Sequence, residues 1–253
     1  MADPARPLRI LFYIQGEGRG HLTQALALAP ILRGAGHSVE AALVGANPSR
    51  EIPDFFRDDI GCPVVRYDDL GFGHAANGKG LSLVATIGQN LRRLPDLLAS
   101  GHVLDEAIRR FRPDLIVNFY SLAGALHTAV RRHGIPVVAV GHQFMFHHPS
   151  YPWPNERVME RVGAKLFTRL VGLGARRRLG LSFYDAPELP SDPALRVVPP
   201  LLRPQLAQLE RGDEGFLLVY LLNAGYADEV TQWSRRHPDV PIHVFCESPD
   251  RFE

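Results

Sequence analysis

The sequence predicts an α/β fold built on a parallel sheet. Apolar runs of strand length alternate with helix-length patterns, and the runs are continuously apolar rather than alternating, as in strands covered on both faces. A glycine-rich turn, Gln15–Gly20, joins the first such run to the first helical pattern. Together these features read as successive βαβ units.

The elements follow in order. Leu8–Ile14 is the first strand and His21–Arg33 the first helix, ended by Gly34 and Gly36. Ser38–Val44 is the second strand, Arg50–Ile60 a helix, and Pro63–Tyr67 a short third strand. Gly71–Gly80 is a glycine-rich loop. Leu81–Leu98 and His102–Phe111 read as two amphipathic helices, followed by a strand at Asp114–Phe119. Ser121–Arg132 is a helix closed by His133 and Gly134, and Pro136–Val140 is a strand. His142–Pro154, with its prolines, histidines and aromatics, is expected to be a loop. Asn155–Arg178 is one long helical pattern and Leu179–Tyr184 a strand. Six prolines in Asp185–Pro204 mark that stretch as linker or crossover rather than core. The pattern then restarts, with a strand at Phe216–Leu222, a turn at Asn223–Gly225, a helix at Asp228–Arg236 and a strand at Ile242–Cys246.

Composition narrows the function. The chain has 253 residues, is 45% hydrophobic and 22% charged, and so can bury a substantial core. A net charge of +1 gives no electrostatic case for a nucleic-acid partner. Of the 28 basic residues only Lys79 and Lys165 are lysines, and neither lies in a P-loop. Cys62 and Cys246 are far apart, which excludes a disulfide scaffold or zinc ribbon and fits a reducing, cytoplasmic compartment. The apolar run at Leu8–Ile14 is too short to span a bilayer and lacks a cleavage site after it, so a soluble or peripheral protein is expected.

The first strand–turn–helix is where such sheets bind ligands, because backbone N–H groups and the helix dipole converge there. Gly16, Gly18 and Gly20 supply the turn, but His21 stands where the dinucleotide fingerprint needs its third glycine. The ribose-binding acid is also missing at Val44–Ala46, so hydride transfer is a minor reading. A histidine at a helix N-terminus is kept neutral by the positive dipole end, which suits a general base. The plain alternative is a capping histidine bonded to a loop carbonyl.

The stretch Ile10–Val39, with Gly20-His21 closing the glycine-rich loop and Gly36-His37-Ser38-Val39 opening the second strand, resembles the start of GT-B glycosyltransferases. It is most similar to the branch holding the UDP-glycosyltransferases and the UDP-N-acetylglucosamine transferase of peptidoglycan lipid intermediates. The resemblance implies a Rossmann-like parallel sheet as the N-terminal, acceptor-side domain over residues 1–200. Val198–Arg203 is similar to the interdomain passage, giving a linker at 201–214. Phe216–Gly225 is similar to the opening of the C-terminal, nucleotide-sugar-binding domain, of which 215–253 would be an incomplete start. It further implies an inverting transfer of a hexosyl group, with a UDP-sugar as co-substrate and no metal or other cofactor. His21 would deprotonate an acceptor hydroxyl.

The other candidates fall around this histidine. Plant-type members orient it with an aspartate after a later strand, where this chain reads Asn118-Phe119-Tyr120-Ser121, with no acid. Glu17 is the nearer acid, as orienter or base. Gly16, Gly18, Arg19, Gly20, Asn118, Ser121, His142 and Gln143 are expected on the acceptor side, with His74 from the Gly71–Gly80 loop as a flap. His142, His147 and His148 have poor zinc spacing and no close acid, so no metal is expected. Asn223, Ala224 and Gly225 are the donor-side candidates, through backbone amides. A chain with so little of the donor domain is expected to transfer sugar poorly by itself.

Arg157, Arg161, Lys165 and Arg169 recur every fourth residue beside Val158, Val162, Leu166 and Leu170, with Arg176–Arg178 extending the charge. This is either a solvated helix face or a basic amphipathic surface for an anionic membrane, at the inner face of the cytoplasmic membrane if the acceptor is a lipid. Small-molecule and glycan acceptors stay open. So do two other functions, a UDP-sugar 2-epimerase of the same fold and a non-catalytic sugar- or lipid-binding module.

Overall fold

The computed structural model describes residues 6–47, 51–69, 94–210, 212–221 and 224–246. Chain contacts divide the described residues into two units, the first running to Leu206 and the second beginning at Ala207. The predicted Gly71–Gly80 loop, the first part of the predicted helix at 81–98, and Asn223 lie outside the described residues.

The first unit is a seven-stranded, wholly parallel sheet. Its strands are β1 (Arg9–Gln15), β2 (Ser38–Gly45), β3 (Val64–Tyr67), β4 (Leu115–Phe119), β5 (Val137–Gly141), β6 (Arg177–Leu181) and β7 (Leu195–Val198). They lie in the order β3-β2-β1-β4-β5-β6-β7. Ile10–Ile14 are fully buried because β1 is central and both its faces are covered. Ile10, Phe12 and Ile14 pack with Leu22, Ala25, Leu26 and Ala29 of helix α1 (Arg19–Gly34). Leu11 and Tyr13 face the other way, toward Leu104 and Ala107 of α3 (Leu94–Phe111) and Ala123 of α4 (Leu122–Arg131). The period-two alternation of strand side chains thus builds two core layers from one apolar run.

Several elements differ from the sequence expectation. The second helix, α2, shrinks to Asp54–Asp59, since Pro53 fixes its start and Gly61, at φ +64°, its end. The two helices expected to part near Gly101 are one. The Ser100 hydroxyl donates to the Asp68 carbonyl at 2.7 Å, and buried Leu104 and Ala107 offset the roughly 1 kcal/mol cost of a helical glycine. His142–His147, expected as loop, forms a 3-10 turn. The long helical pattern at 155–178 yields only α5 (Val158–Val171), stopped by Gly172 and by Gly174 at φ +73°. Arg177 and Arg178 therefore enter β6 and do not extend the helix's basic face. The proline-rich stretch contains β7, an edge strand whose four residues are free of proline and pair with Arg178–Leu181.

The second unit holds one βαβ unit. Parallel β8 (Leu217–Leu221) and β9 (Ile242–Cys246) pair from Leu217–Ile242 to Leu221–Cys246, with α6 (Ala227–Arg236) between them in sequence. Leu218, Tyr220 and Phe245 of these strands are exposed.

Candidate functional site

The strand order reverses at β1, which has β2 on one side and β4 on the other. In open parallel sheets ligands bind beyond the carboxyl ends of the strands at such a switch point, because the flanking loops diverge and leave a crevice. The turns after β1, β4 and β5 meet there.

The turn after β1 is shaped by its glycines. A side chain at Gly16 would sit 2.8 Å from Val44 Cγ1 and 3.0 Å from the Gly45 carbonyl, so this glycine serves the close approach of β1 to β2. Its N–H donates to the Gly45 carbonyl at 2.7 Å. Gly18 and Gly20 instead face open space. Gly18 is the N-cap of α1, which has no side-chain cap and no acid in its first turn. That helix end keeps its positive character. Arg19 is exposed beside it.

His21 follows in the first turn of α1 and is 7% exposed. Nδ1 lies 3.1 Å from Gln24 Oε1 and Nε2 lies 3.3 Å from Gln143 Nε2. Its ring stacks with Tyr120 (centroids 5.4 Å apart, planes at 15°) and with His142 (6.1 Å, 8°). Burial pushes its pKa down to about 4, against a smaller upward pull from the Gln24 hydrogen bond, with His142 adding to the fall. The imidazole is therefore neutral at physiological pH, with its orientation held on both sides.

The turn after β4 supplies Tyr120. It adopts φ +62°, a left-handed conformation that is costly for a residue with a Cβ and is found where surrounding structure enforces it. Asn118 provides part of that enforcement. Its Oδ1 accepts from the Ser121 N–H at 2.8 Å and its Nδ2 donates to the Ser121 carbonyl at 3.0 Å. The Tyr120 hydroxyl bonds Thr168 of α5 at 2.7 Å, and its ring meets Phe144 edge-on.

Asn118 does not bond His21, since both its polar atoms are engaged by Ser121; the ring instead meets Gln24 and Gln143. Ser121 is fully buried, with its hydroxyl bonded to Asp69, Tyr67 and the Gly124 N–H, so it shapes the floor of the crevice rather than lining it. Glu17 accepts from the Asn47 N–H at 3.0 Å and so ties the first turn to the end of β2.

The turn after β5 brings His142 and Gln143. A side chain at Gly141 would meet Gln143 Oε1 at 3.0 Å and Tyr120 Cδ2 at 3.3 Å, so this glycine lets three turns converge. His148 is bonded through both ring nitrogens, to the Pro187 carbonyl and the Ser150 N–H, which removes it as a metal ligand. Among the described residues there is no group of three or more His, Cys, Asp or Glu side chains able to hold a metal ion.

In the second unit, Ala224 and Gly225 lie in a 3-10 turn leading into α6. The first turn of α6 carries Asp228 and Glu229, whose charges offset the positive helix end. His74 and Asn223 lie outside the described residues. Gln24, Tyr120, Thr168 and Asp69 were missed in the sequence. Only Gln24 carried a local signal there, being three residues from His21 and hence on the same helix face.

A search of curated proteins found no match. Among solved structures, the chain is similar to the SsfS6 glycosyltransferase of Streptomyces sp. SF2575, at 19% identity and a TM-score of 0.50, over 94% of this chain and 68% of that one. It is similar to UGT2 of Phytolacca americana complexed with UDP-2fluoro-glucose and pterostilbene, at 14% identity and TM-score 0.53, over 94% and 71%. It is also similar to the UDP-GlcNAc 2-epimerase of Neisseria meningitidis bound to UDP-GlcNAc, at 12% identity and TM-score 0.54, over 96% and 67%. The chain thus spans about two thirds of the length of these neighbours. At such identities the neighbours establish the fold. The family is established by sequence, because the glycosyl transferase family 1 profile matches residues 8–245. With a Gly-His turn at the switch point of a parallel Rossmann-like sheet, and a family match over nearly its whole length, the chain belongs to glycosyl transferase family 1 and has the GT-B architecture.

Proposed function

We propose that the first unit is the acceptor side of an inverting, UDP-sugar-dependent hexosyltransferase in which His21 is the general base. The observation that carries this is the buried, neutral imidazole of His21 at the sheet's switch point, clamped by two amides and stacked with two rings. In the reaction, the acceptor O–H bond breaks and its proton passes to Nε2. The oxygen attacks the anomeric carbon from the face opposite the diphosphate, and the anomeric C–O bond breaks with its electron pair leaving on the UDP. Gly18, Arg19, Gly20, His142 and Gln143 are the proposed acceptor contacts. Gly16, Asn118 and Ser121 hold the turns in place, and the nucleotide sugar is the sole co-substrate. The second unit, with Ala224 and Gly225, is proposed as the start of the donor domain, in line with the UDP ligands named for two structural neighbours.

The test is an assay of the full-length protein with a UDP-sugar, with and without an acceptor. Acceptor-dependent release of UDP with inversion at the anomeric carbon supports the proposal. Isomerised UDP-sugar without acceptor would make the protein a 2-epimerase, and absence of UDP-sugar binding by calorimetry would leave a binding module.

One surface favours a membrane-associated acceptor. No helix among the described residues is long and apolar enough to cross a membrane. Yet α5 exposes Met159 (78%), Val162 (54%) and Leu166 (55%), with exposed Arg169 and half-buried Arg161 and Lys165 beside them. Phe146, Tyr151 and Trp153 cluster at centroid distances of 4.9–5.0 Å, and Lys165 Nζ lies 5.9 Å from the Trp153 ring. Apolar side chains flanked by cations match an anionic leaflet. The protein is expected to sediment with phosphatidylglycerol vesicles and not with phosphatidylcholine vesicles, and a Met159→Ser, Val162→Ser, Leu166→Ser triple variant to lose this. Equal sedimentation of the two proteins would reduce α5 to a solvated face.

A further inference from the structure

We infer that Gln24 is a positioning residue that fixes His21 as its Nδ1–H tautomer and so makes Nε2 the nitrogen that accepts a proton. The inference rests on the general-base reading for its use in catalysis, but its structural content stands on the ring's own contacts. His21 and Gln24 are three residues apart on α1 and share a helix face. Gln24 presents its carbonyl oxygen to Nδ1 at 3.1 Å, and an oxygen of that kind only accepts, so Nδ1 must carry the hydrogen. A neutral imidazole has one N–H. Nε2 then holds a lone pair and receives the Gln143 amide N–H at 3.3 Å. The two contacts come from different elements and call for the same tautomer.

The amide differs from a carboxylate in one respect that matters. Either group accepts from Nδ1–H, but a carboxylate would also stabilise the imidazolium and raise the ring's affinity for a proton. Gln24 sets the tautomer with no charge of its own, and its upward pull on the ring's pKa is outweighed by burial. The groups around the ring do not replace that charge. His142 and Tyr120 face it from the turns after β5 and β4, Arg19 is the exposed first residue of α1, and Glu17 belongs to the turn before it, where it accepts from the Asn47 N–H. The buried ring therefore stays unprotonated through the physiological range while one nitrogen is kept ready.

The experiment is nitrogen NMR of the 253-residue chain labelled with 15N-histidine, with the His21 signals assigned by their loss in His21→Asn. The native ring is expected to show a protonated Nδ1 and an unprotonated Nε2. Gln24→Leu is expected to shift the ring toward the Nε2–H tautomer. Gln24→Glu is expected to keep Nδ1–H but raise the ring's titration by about one pH unit or more. In a sugar-transfer assay the acid limb of kcat/KM should move upward with it. A native ring protonated at Nε2, or a Gln24→Leu ring with unchanged tautomer and titration, would overturn the inference. These readings need no turnover. A ring that behaves as expected in an enzyme indifferent to His21 would sink the general-base reading and leave the role of Gln24 standing.

Discussion

His21→Ala is expected to lower kcat for the proposed sugar transfer by about a hundred- to ten-thousand-fold, the usual range for loss of a general base. Binding of the UDP-sugar should change little, since the ring lies in the unit proposed as the acceptor side. Because burial holds the native ring's pKa near 4, the acid limb of kcat/KM should fall close to that pH rather than near histidine's ordinary 6.5. The sign follows from the form required. The base works when neutral, a lowered pKa extends the neutral form to lower pH, and activity is lost only as protonation sets in below it. Glu17→Gln is the control, because Glu17 is the acid nearest in sequence. Its carboxylate is engaged with the Asn47 N–H, and its replacement should cost much less than that of His21. A His21→Ala enzyme within about tenfold of the native rate, or a larger loss in Glu17→Gln, would transfer the role away from His21.

The second large effect is on stability. Asp69 is 1% exposed and joins the end of β3 to the start of α4. Oδ2 accepts from the Ser121 hydroxyl at 2.7 Å and Oδ1 from the Ala123 N–H at 3.0 Å, which places its charge at the positive end of α4. The Ser121 hydroxyl also meets the Tyr67 hydroxyl at 2.6 Å. Gly45 lacks a side chain because Asp69 fills that space, a Cβ there falling 2.6 Å from the Asp69 side chain. Asp69→Ala would strand two buried donors and leave a void beside Gly45. The expected loss is about 3–5 kcal/mol, from charge-assisted bonds worth roughly 1.5–3 kcal/mol each. In a unit of this size that corresponds to a Tm lowered by roughly 10 °C, readable by calorimetry. Asp69→Asn, which keeps shape and some hydrogen bonding, should fall between. An alanine variant within about 1 kcal/mol of native would show that this network adds little to stability. The network also matters to the site, since Ser121 is the residue after Tyr120, whose left-handed backbone places its ring against His21.

The gain from structure is clearest where long-range contacts override local pattern. The apolar run at Leu8–Ile14, interrupted only by Arg9 at the start of β1, could be read directly, because a central parallel strand buries both faces. The Pro-rich stretch hid β7, because a short edge strand needs only four proline-free residues and one neighbour to pair with. The helical pattern at 155–178 was carried past Gly172 and Gly174, which end α5, so that Arg177 and Arg178 enter the sheet. Side-chain spacing along a helix is local, whereas strand membership depends on which partner is within reach.

The same division holds for the site. The sequence by itself determined the sheet's class, the glycine turn and the position of His21 at a helix start, because these follow from periodicity, from the missing Cβ of glycine and from the resemblance carried by Gly20-His21. It placed His142 and Gln143 after a strand end, and in the structure both lie beside His21. Only the tertiary structure decided what holds the imidazole. Gln143 is 122 residues from His21 and Tyr120 is on another strand, so their contact exists only once β1, β4 and β5 lie side by side. The amide partners of the ring, Gln24 and Gln143, likewise come from the tertiary structure rather than from the turn at Asn118. Asn118 is used up within its own turn, and the ring takes its partners from what the sheet order brings near.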